Sequence, residues 1–205
     1  MLKEEFPRQY LDALTGLRNK DFFLNELPRR LAKLREMSKP LVFLMIDIDH
    51  FKWVNDELGH QRGDQVLKST GDLVLDNIRD GDLAIRYGGE ELLVVVPSDL
   101  HTGIILAERL RHAQEQRIRG GEAQRDIAAL GESGGQPCGT FSIGVADVTG
   151  IKDFAQAVDA SDKVLYFSKK SRNTVAFIEA SRDSGRAPLF ATYAEYRQRT
   201  GRASG

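Results

Sequence analysis

The chain is poor in the features that most readily betray a protein's setting. It holds one cysteine, Cys138, which excludes an intrachain disulfide and suits a reducing compartment. Its formal net charge of −1 supplies no field for a polyanion such as DNA, so no nucleic-acid partner is expected. No apolar run approaches the roughly 20 residues of a membrane span, and Met1-Leu2-Lys3-Glu4-Glu5-Phe6 lacks an apolar signal region. No membrane contact and a cytoplasmic location are therefore expected. Internal repeats and low-complexity blocks are also missing. What remains is 205 residues, room for one domain with a real core plus extensions.

What is present is organised around Arg86-Tyr87-Gly88-Gly89-Glu90-Glu91-Leu92. Asp82–Ile85 before it and Leu92–Val96 after it read as short strands, the second rich in β-branched residues. Gly88-Gly89 between them predicts a two-residue hairpin turn with positive φ at both glycines. Glu90 and Glu91 then sit at a rigid tip. Neighbouring carboxylates repel and lose solvation as a site fills, unless a cation joins them. Taken alone, the tip reads first as a solvated polar turn.

The rest of the chain builds a frame around this tip. From Asp21 to Met37, apolar residues recur at helical spacing, with Asn19 as cap and a break expected at Pro28. Leu41–Ile46 is apolar on both faces, as a central buried strand is, and runs into Asp47-Ile48-Asp49. Asp47, fixed at a strand end, suits a Mg²⁺ ligand; Asp49 reads in part as the cap of the next helix. His50–Leu58 predicts a short helix closed by Gly59, and Gln65–Ile78 a longer one. Asp64 is either the N-cap of that helix or a binding group. Leu100–Ile118 predicts an amphipathic helix, and residues 119–137 a surface insertion. Cys138–Ala146 reads as a strand in which Gly139 and Gly144 mark close approach or a bulge. A helix over Asp153–Lys170 and a strand over Thr174–Ile178 complete the domain.

Residues 1–11 read as a linker or helix end. Residues 180–205, with five arginines against two acids, read as a polar tail that is solvated or forms a short helix near Tyr193–Arg199. The order of elements predicts an α/β fold with a mixed, mostly antiparallel central sheet flanked by helices. In that layout the end of strand 41–46 neighbours the 88–91 turn. Asp47, Glu90 and Glu91 then converge on one metal site, suited to phosphoryl or nucleotidyl transfer.

From about Asp12 to Val175 the chain resembles the GGDEF domain of diguanylate cyclases, with Gly88-Gly89-Glu90-Glu91-Leu92 as a variant signature. The motifs that carry the resemblance are Asp12-x-Leu14-Thr15-Gly16-Leu17-x-Asn19, Asp47-Ile48-Asp49-x-Phe51-Lys52-x-x-Asn55-Asp56 and Gly59-His60-x-x-Gly63-Asp64-x-x-Leu67. Arg86 to Glu91 and Ser142-Ile143-Gly144-Val145-Ala146 follow in the family's order. Each is weak alone and the series is specific.

The resemblance implies a nucleotide cyclase or polymerase-palm-like fold spanning residues 12–179. It also implies Mg²⁺-dependent (Mn²⁺ as the substitute) condensation of two GTP into cyclic di-GMP across a homodimer. It assigns Asp47, the Ile48 carbonyl, Glu90 and Glu91 to the metal, and Glu90 to deprotonation of the 3′-hydroxyl. Asn55 and Asp64 would read guanine, His60 would lie beside the substrate, and backbone around Phe51 and Lys52 would cradle phosphates. Arg79-Asp80-Gly81-Asp82 matches the family's RxxD inhibitory site, so Arg79 and Asp82 would bind product.

Two departures stand out. Leu92 replaces the usual Phe. Tyr166-Phe167-Ser168-Lys169-Lys170-Ser171-Arg172-Asn173 is one residue shorter than the family's Tyr-x-x-Lys-x-x-Gly-Arg-Asn and lacks its glycine. Lys169 and Arg172 are the candidates for the terminal phosphate, with Lys170 as an alternative. A catalytically silent module that binds GTP or cyclic di-GMP is the alternative function.

Overall fold

A computed structural model describes residues 7–120, 130–179 and 189–200. A 3₁₀ turn at Arg8–Tyr10 leads into α1 (Lys20–Asn25) and α2 (Leu27–Glu36). The Asn19 side chain caps α1 by accepting from the Phe22 N–H, and Pro28 lies at the start of α2, where its missing N–H costs nothing. The break expected at Pro28 is therefore present. β1 (Val42–Ile48), α3 (Phe51–Leu58), α4 (His60–Asn77), β2 (Leu83–Arg86), β3 (Glu91–Val96) and α5 (Leu100–Arg119) follow. A small hairpin, β4 (Glu132–Ser133) and β5 (Gln136–Pro137), then leads to β6 (Phe141–Asp147), α6 (Phe154–Ser168), β7 (Val175–Glu179), β8 (Leu189–Thr192) and α7 (Tyr193–Thr200).

Among the described residues the main sheet has the order β2-β3-β1-β6-β7-β8. Only β6 and β7 pair in parallel, joined by the α6 crossover. The sheet is thus mixed and mostly antiparallel, as expected. β1 is its centre and is buried along its whole length. Alternate β1 residues divide the core: Val42, Leu44, Ile46 and Ile48 join α3, α4 and α5 on one face, while Phe43 and Met45 join α1, α2 and α6 on the other. Each face buries its own apolar cluster, which is the main stabilising term of such a three-layer sandwich.

Glycines set how closely the layers approach. A Cβ at Gly144 would strike the Leu165 and Val164 backbone, so α6 lies directly on β6. The close approach expected at Gly144 is real, and it fixes where the end of α6 emerges.

Several local expectations differ from the structure, among them the strand expected from Cys138, which begins at Phe141. Neither Gly88 nor Gly89 is among the glycines with positive φ. The Tyr87 and Gly88 N–H groups both donate to the Glu91 carbonyl instead, giving a longer loop than a two-residue turn. Gly88 lies against the Glu91 side chain: a Cβ there would lie 2.7 Å from Glu91 Oε2, which would have to shift. α4 starts at His60 rather than Gln65, so Asp64 lies inside the helix and is not its N-cap. The 119–137 stretch contains the β4–β5 hairpin; residues 121–129 of it lie outside the described residues. In the expected tail, β8 adds to the sheet antiparallel to β7, and α7 forms where the short helix was expected. Residues 1–6, 180–188 and 201–205, on which the linker and tail readings also rest, lie outside the described residues.

Candidate functional site

Strand register assembles the acids. Asp47 is the direct partner of Glu91 across β1 and β3, and the Ile48 N–H donates to the Glu90 carbonyl at 3.4 Å. Odd-numbered positions of β1 and β3 face α6, so Asp47 and Glu91 project to that layer. At the end of α6, Lys169 Nζ lies 2.7 Å from Asp47 Oδ2. Burial pushes the Asp47 carboxyl up to about 6 against the pull of Lys169, and the charges of Asp49 and Glu90 add to the rise. A site that resists carrying its own negative charge invites a cation.

Two groups outside the expected set join this cluster. Burial, then Glu91 and Asp159, raise the Asp162 carboxyl on α6, with Lys169 opposing. Burial, then Asp162 and Glu91, raise the Tyr87 hydroxyl. Tyr87 is held edge-on by Phe23 at 4.8 Å. The only trace of Asp162 in the sequence is its spacing from Lys169, seven residues on a helix, which places both on one side of α6.

Asp49 is no helix cap. His50 occupies the α3 N-cap position at φ 56, with no side-chain cap bond. The Asp49 carboxylate is buried and accepts from Thr140 Oγ1 and Ser142 Oγ, each at 2.7 Å, and from the Asn173 N–H at 2.9 Å. It ties the end of β1 to β6 and to the loop before β7. Arg172 Nε stands 4.0 Å from Asp49 Oδ1.

The signature loop is held from its other side. Arg86 donates through Nη2 to the Gly89 carbonyl at 2.9 Å and through Nη1 to the Asp12 carboxylate at 3.2 Å. Asp12 also accepts from Thr15 Oγ1 at 2.7 Å. Burial alone would raise the Asp12 carboxyl, but the Thr15 hydrogen bonds and the Arg86 guanidinium hold it below its ordinary value.

The base-reading candidates sit on α3 and α4. Gly63 faces Asn55 so closely that a Cβ would overlap Asn55 Oδ1, which sets Asn55 beside the first turns of α4. His60 and Asp64 are exposed there. The Phe51 side chain belongs to the core, and Lys52 pairs with Asp56 on its own helix at 2.9 Å. At that point backbone N–H groups are open to a phosphate, because the first N–H groups of a helix lack intrahelical partners.

The Arg79–Asp82 turn lies apart from these groups. Arg79 N–H donates to Asp82 Oδ2 at 3.0 Å, and burial raises the Asp82 carboxyl while Arg79 and Arg109 oppose. The Asp82 side chain is 6% exposed and that of Arg79 is 65% exposed, so Asp82 shapes the turn and Arg79 faces outward.

Among the described residues, no group of three or more His, Cys, Asp and Glu side chains stands gathered as a metal cage. The donor set still fits Mg²⁺. That ion is held by one or two carboxylates together with substrate phosphates and water rather than by an all-protein cage. Asp47, with Glu91 opposite it, offers the required hard oxygens. No helix among the described residues is long and apolar enough to cross a membrane.

Comparison with known proteins gives the family and the fold. Residues 9–174 match the family described as Diguanylate cyclase, GGDEF domain. Diguanylate cyclase DosC of Escherichia coli K12 is 32% identical over 173 residues, covering 83% of this chain and 35% of DosC. Diguanylate cyclase DgcS of Shewanella oneidensis is 32% identical over 160 residues, covering 78% of this chain and 49% of DgcS. The chain thus spans between a third and a half of these curated relatives. The GGDEF domain of DgcB from Caulobacter crescentus, solved with c-di-GMP, superposes with a TM-score of 0.72 at 28% identity. That match covers 85% of this chain and 98% of the DgcB domain. The active GGEEF domain of a Vibrio cholerae diguanylate cyclase gives 0.62 at 28% identity, covering 75% and 92%.

Proposed function

The chain belongs to the GGDEF family of diguanylate cyclases, and from that premise we propose that it condenses two GTP into cyclic di-GMP at a homodimer interface. The observation that carries the reading is the register pairing of Asp47 with Glu91, which brings the two carboxylate-bearing segments together.

In this reading each protomer holds one GTP, and two protomers face each other about a twofold axis. Glu90 accepts the proton of a GTP 3′-hydroxyl. That oxygen bonds to the α-phosphorus of the opposing GTP, the bond from the α-phosphorus to the bridging oxygen breaks, and pyrophosphate leaves. The same exchange on the other side closes the ring. Asp47, Glu91, Glu90 and the Ile48 carbonyl would hold Mg²⁺ or Mn²⁺. Such an ion would supply Lewis acidity at the phosphate and lower the pKa of the attacking hydroxyl.

Asn55 and Asp64 read guanine: a carboxylate accepts from N1–H and the exocyclic amine, and an amide pairs with a second polar edge. His60 lies beside the substrate. Backbone N–H groups at Phe51 and Lys52 cradle phosphate. Lys169 leaves the Asp47 carboxylate for a phosphate oxygen, and Arg172 joins it there. Product returns to Arg79, whose donor fork matches guanine O6 and N7, in a turn that Asp82 shapes.

A second reading, a silent module that binds GTP or cyclic di-GMP, is favoured by the shortened 168–173 segment and by Lys169 being engaged on Asp47. Incubating the purified chain with GTP and Mg²⁺ at low and high protein concentration, and following cyclic di-GMP by chromatography, separates the two. Product that rises more than linearly with protein supports the cyclase. Nucleotide binding without product at any concentration supports the silent module.

A further inference from the structure

The segment joining α6 to β7 is shorter than its family pattern and lacks the glycine before its arginine, yet it makes a sharp turn. Two consecutive residues carry the bend: Arg172 at φ 52 and Asn173 at φ 42. This left-handed region is uncommon for any residue but glycine, with asparagine the best tolerated of the rest. Adjacent residues remain there only where their surroundings over-determine them.

The surroundings here converge on Asn173. Its N–H donates to buried Asp49 at 2.9 Å. Its Oδ1 accepts from Arg111 Nη1 at 2.8 Å, and its Nδ2 donates to Glu115 Oε1 at 3.1 Å. Arg111 is itself fixed by Glu108 at 2.6 Å and by Glu115 at 3.0 Å, both on α5. Asp49 is locked by Thr140 and Ser142. The turn is therefore pinned to the end of β1, to β6 through Asp49, and to α5. Thr174 Oγ1 closes it by donating to the Arg172 carbonyl at 2.7 Å.

We infer that Asn173 is a positioning residue that holds this glycine-less turn, and with it Arg172, where the β- and γ-phosphates of the nucleotide lie. This rests on the reading of Arg172 as a phosphate ligand. The amide uses both of its ends, donor and acceptor, so few other side chains serve. Aspartate would present a second carboxylate to Glu115, glycine would keep the bend without the ties to α5, and alanine would lose both.

The test is the preference for GTP over GMP, measured by titration calorimetry on the full chain, with KM and kcat for GTP alongside. GMP lacks the β- and γ-phosphates and so reports the rest of the site. Asn173→Ala is expected to weaken GTP binding and raise KM roughly tenfold to a hundredfold, as a misplaced positioning group does, with GMP affinity unchanged. Asn173→Gly recovers part of that loss. Arg111→Gln cuts one tie from α5 while leaving every residue of the turn in place and gives the same direction, and it carries the test if Asn173→Ala does not fold.

Retention of the wild-type preference in the folded variants overturns the inference, as does an equal loss for both nucleotides. Arg172→Ala separates this from the underlying reading. If Arg172→Ala keeps the GTP preference, Arg172 is no phosphate ligand and the underlying reading fails. If Arg172→Ala loses the preference while the Asn173 and Arg111 variants keep it, only the positioning role fails.

Discussion

Arg86 and Asp12 form an ion pair at 3.2 Å, both side chains about one-fifth exposed, that joins the loop at the start of the domain to the signature loop. The same guanidinium holds the Gly89 carbonyl. Glu90 and Glu91 therefore inherit their position from a residue more than seventy places earlier in the chain. Arg86→Lys keeps the charge and loses the fork. It is expected to destabilise the fold by about 1–3 kcal/mol, the range for charged hydrogen bonds left partly unmade, and to lower kcat. Urea unfolding and cyclic di-GMP production at saturating GTP check this, and unchanged values in both would show that the loop is held by other means.

Acid should probe the same pair. The Asp12 carboxyl is depressed in the folded state, so the unfolded chain takes up the proton first as pH falls. Its stabilising contribution is complete above roughly pH 5, begins to fall as the unfolded chain takes up its proton, and is lost as pH drops through the depressed folded value. Asp12→Asn removes that contribution at neutral pH and flattens this part of the acid limb. Unfolding free energies at pH 7 and pH 3 for both proteins measure it, and parallel curves would contradict the assignment.

Glu90→Ala is expected to abolish turnover and leave the unfolding midpoint within a degree or two, since a half-exposed loop carboxylate adds little to stability. Wild-type rates in the folded variant would remove Glu90 from the chemistry.

Gly63→Ala places a methyl against Asn55 and Phe51. Overpacking of this kind costs roughly 1–3 kcal/mol and turns Asn55 away from α4. GTP affinity should fall more than ATP affinity in competition binding, and equal losses would place Asn55 outside base recognition.

Arg79→Ala is expected to raise the cyclic di-GMP concentration needed for half-inhibition at least tenfold, with the uninhibited rate unchanged. Inhibition that persists at wild-type strength would reduce Arg79 to a turn residue.

Periodicity and punctuation revealed the layers of this fold. The two-sided apolar run of β1, the Asn19 cap and the Pro28 break were all readable, because local chemistry decides them. What misled is instructive. Gly88-Gly89 suggested positive φ, whereas in the structure Gly88 lies against the Glu91 side chain. Asp64 suggested a helix N-cap, whereas it lies inside α4 and Gly63 before it is a contact point between α3 and α4. Close approach and left-handed backbone select the same residue, so glycine alone does not tell them apart.

Asp49 looked like a cap because its partners Thr140, Ser142 and Asn173 lie some ninety or more residues away, beyond any local pattern. β8 gave no clear signal, since a four-residue edge strand is shorter than any dependable alternation. The acids themselves were legible; their scaffolding was not.

The central place of β1 has a consequence for the order of assembly. Val42 pairs with Val96 on one side and with Asp147 on the other, so the strand bearing Asp47 gains its second neighbour only when chain a hundred residues downstream is available. Pairings of such long range form late and slowly. On a ribosome, the half-made chain has β1 and the acids of β3 but lacks β6 and the segment after α6 that neutralises Asp47. The nascent polypeptide thus carries an incomplete, unbalanced cluster until Lys169, which pairs with Asp47, has been made.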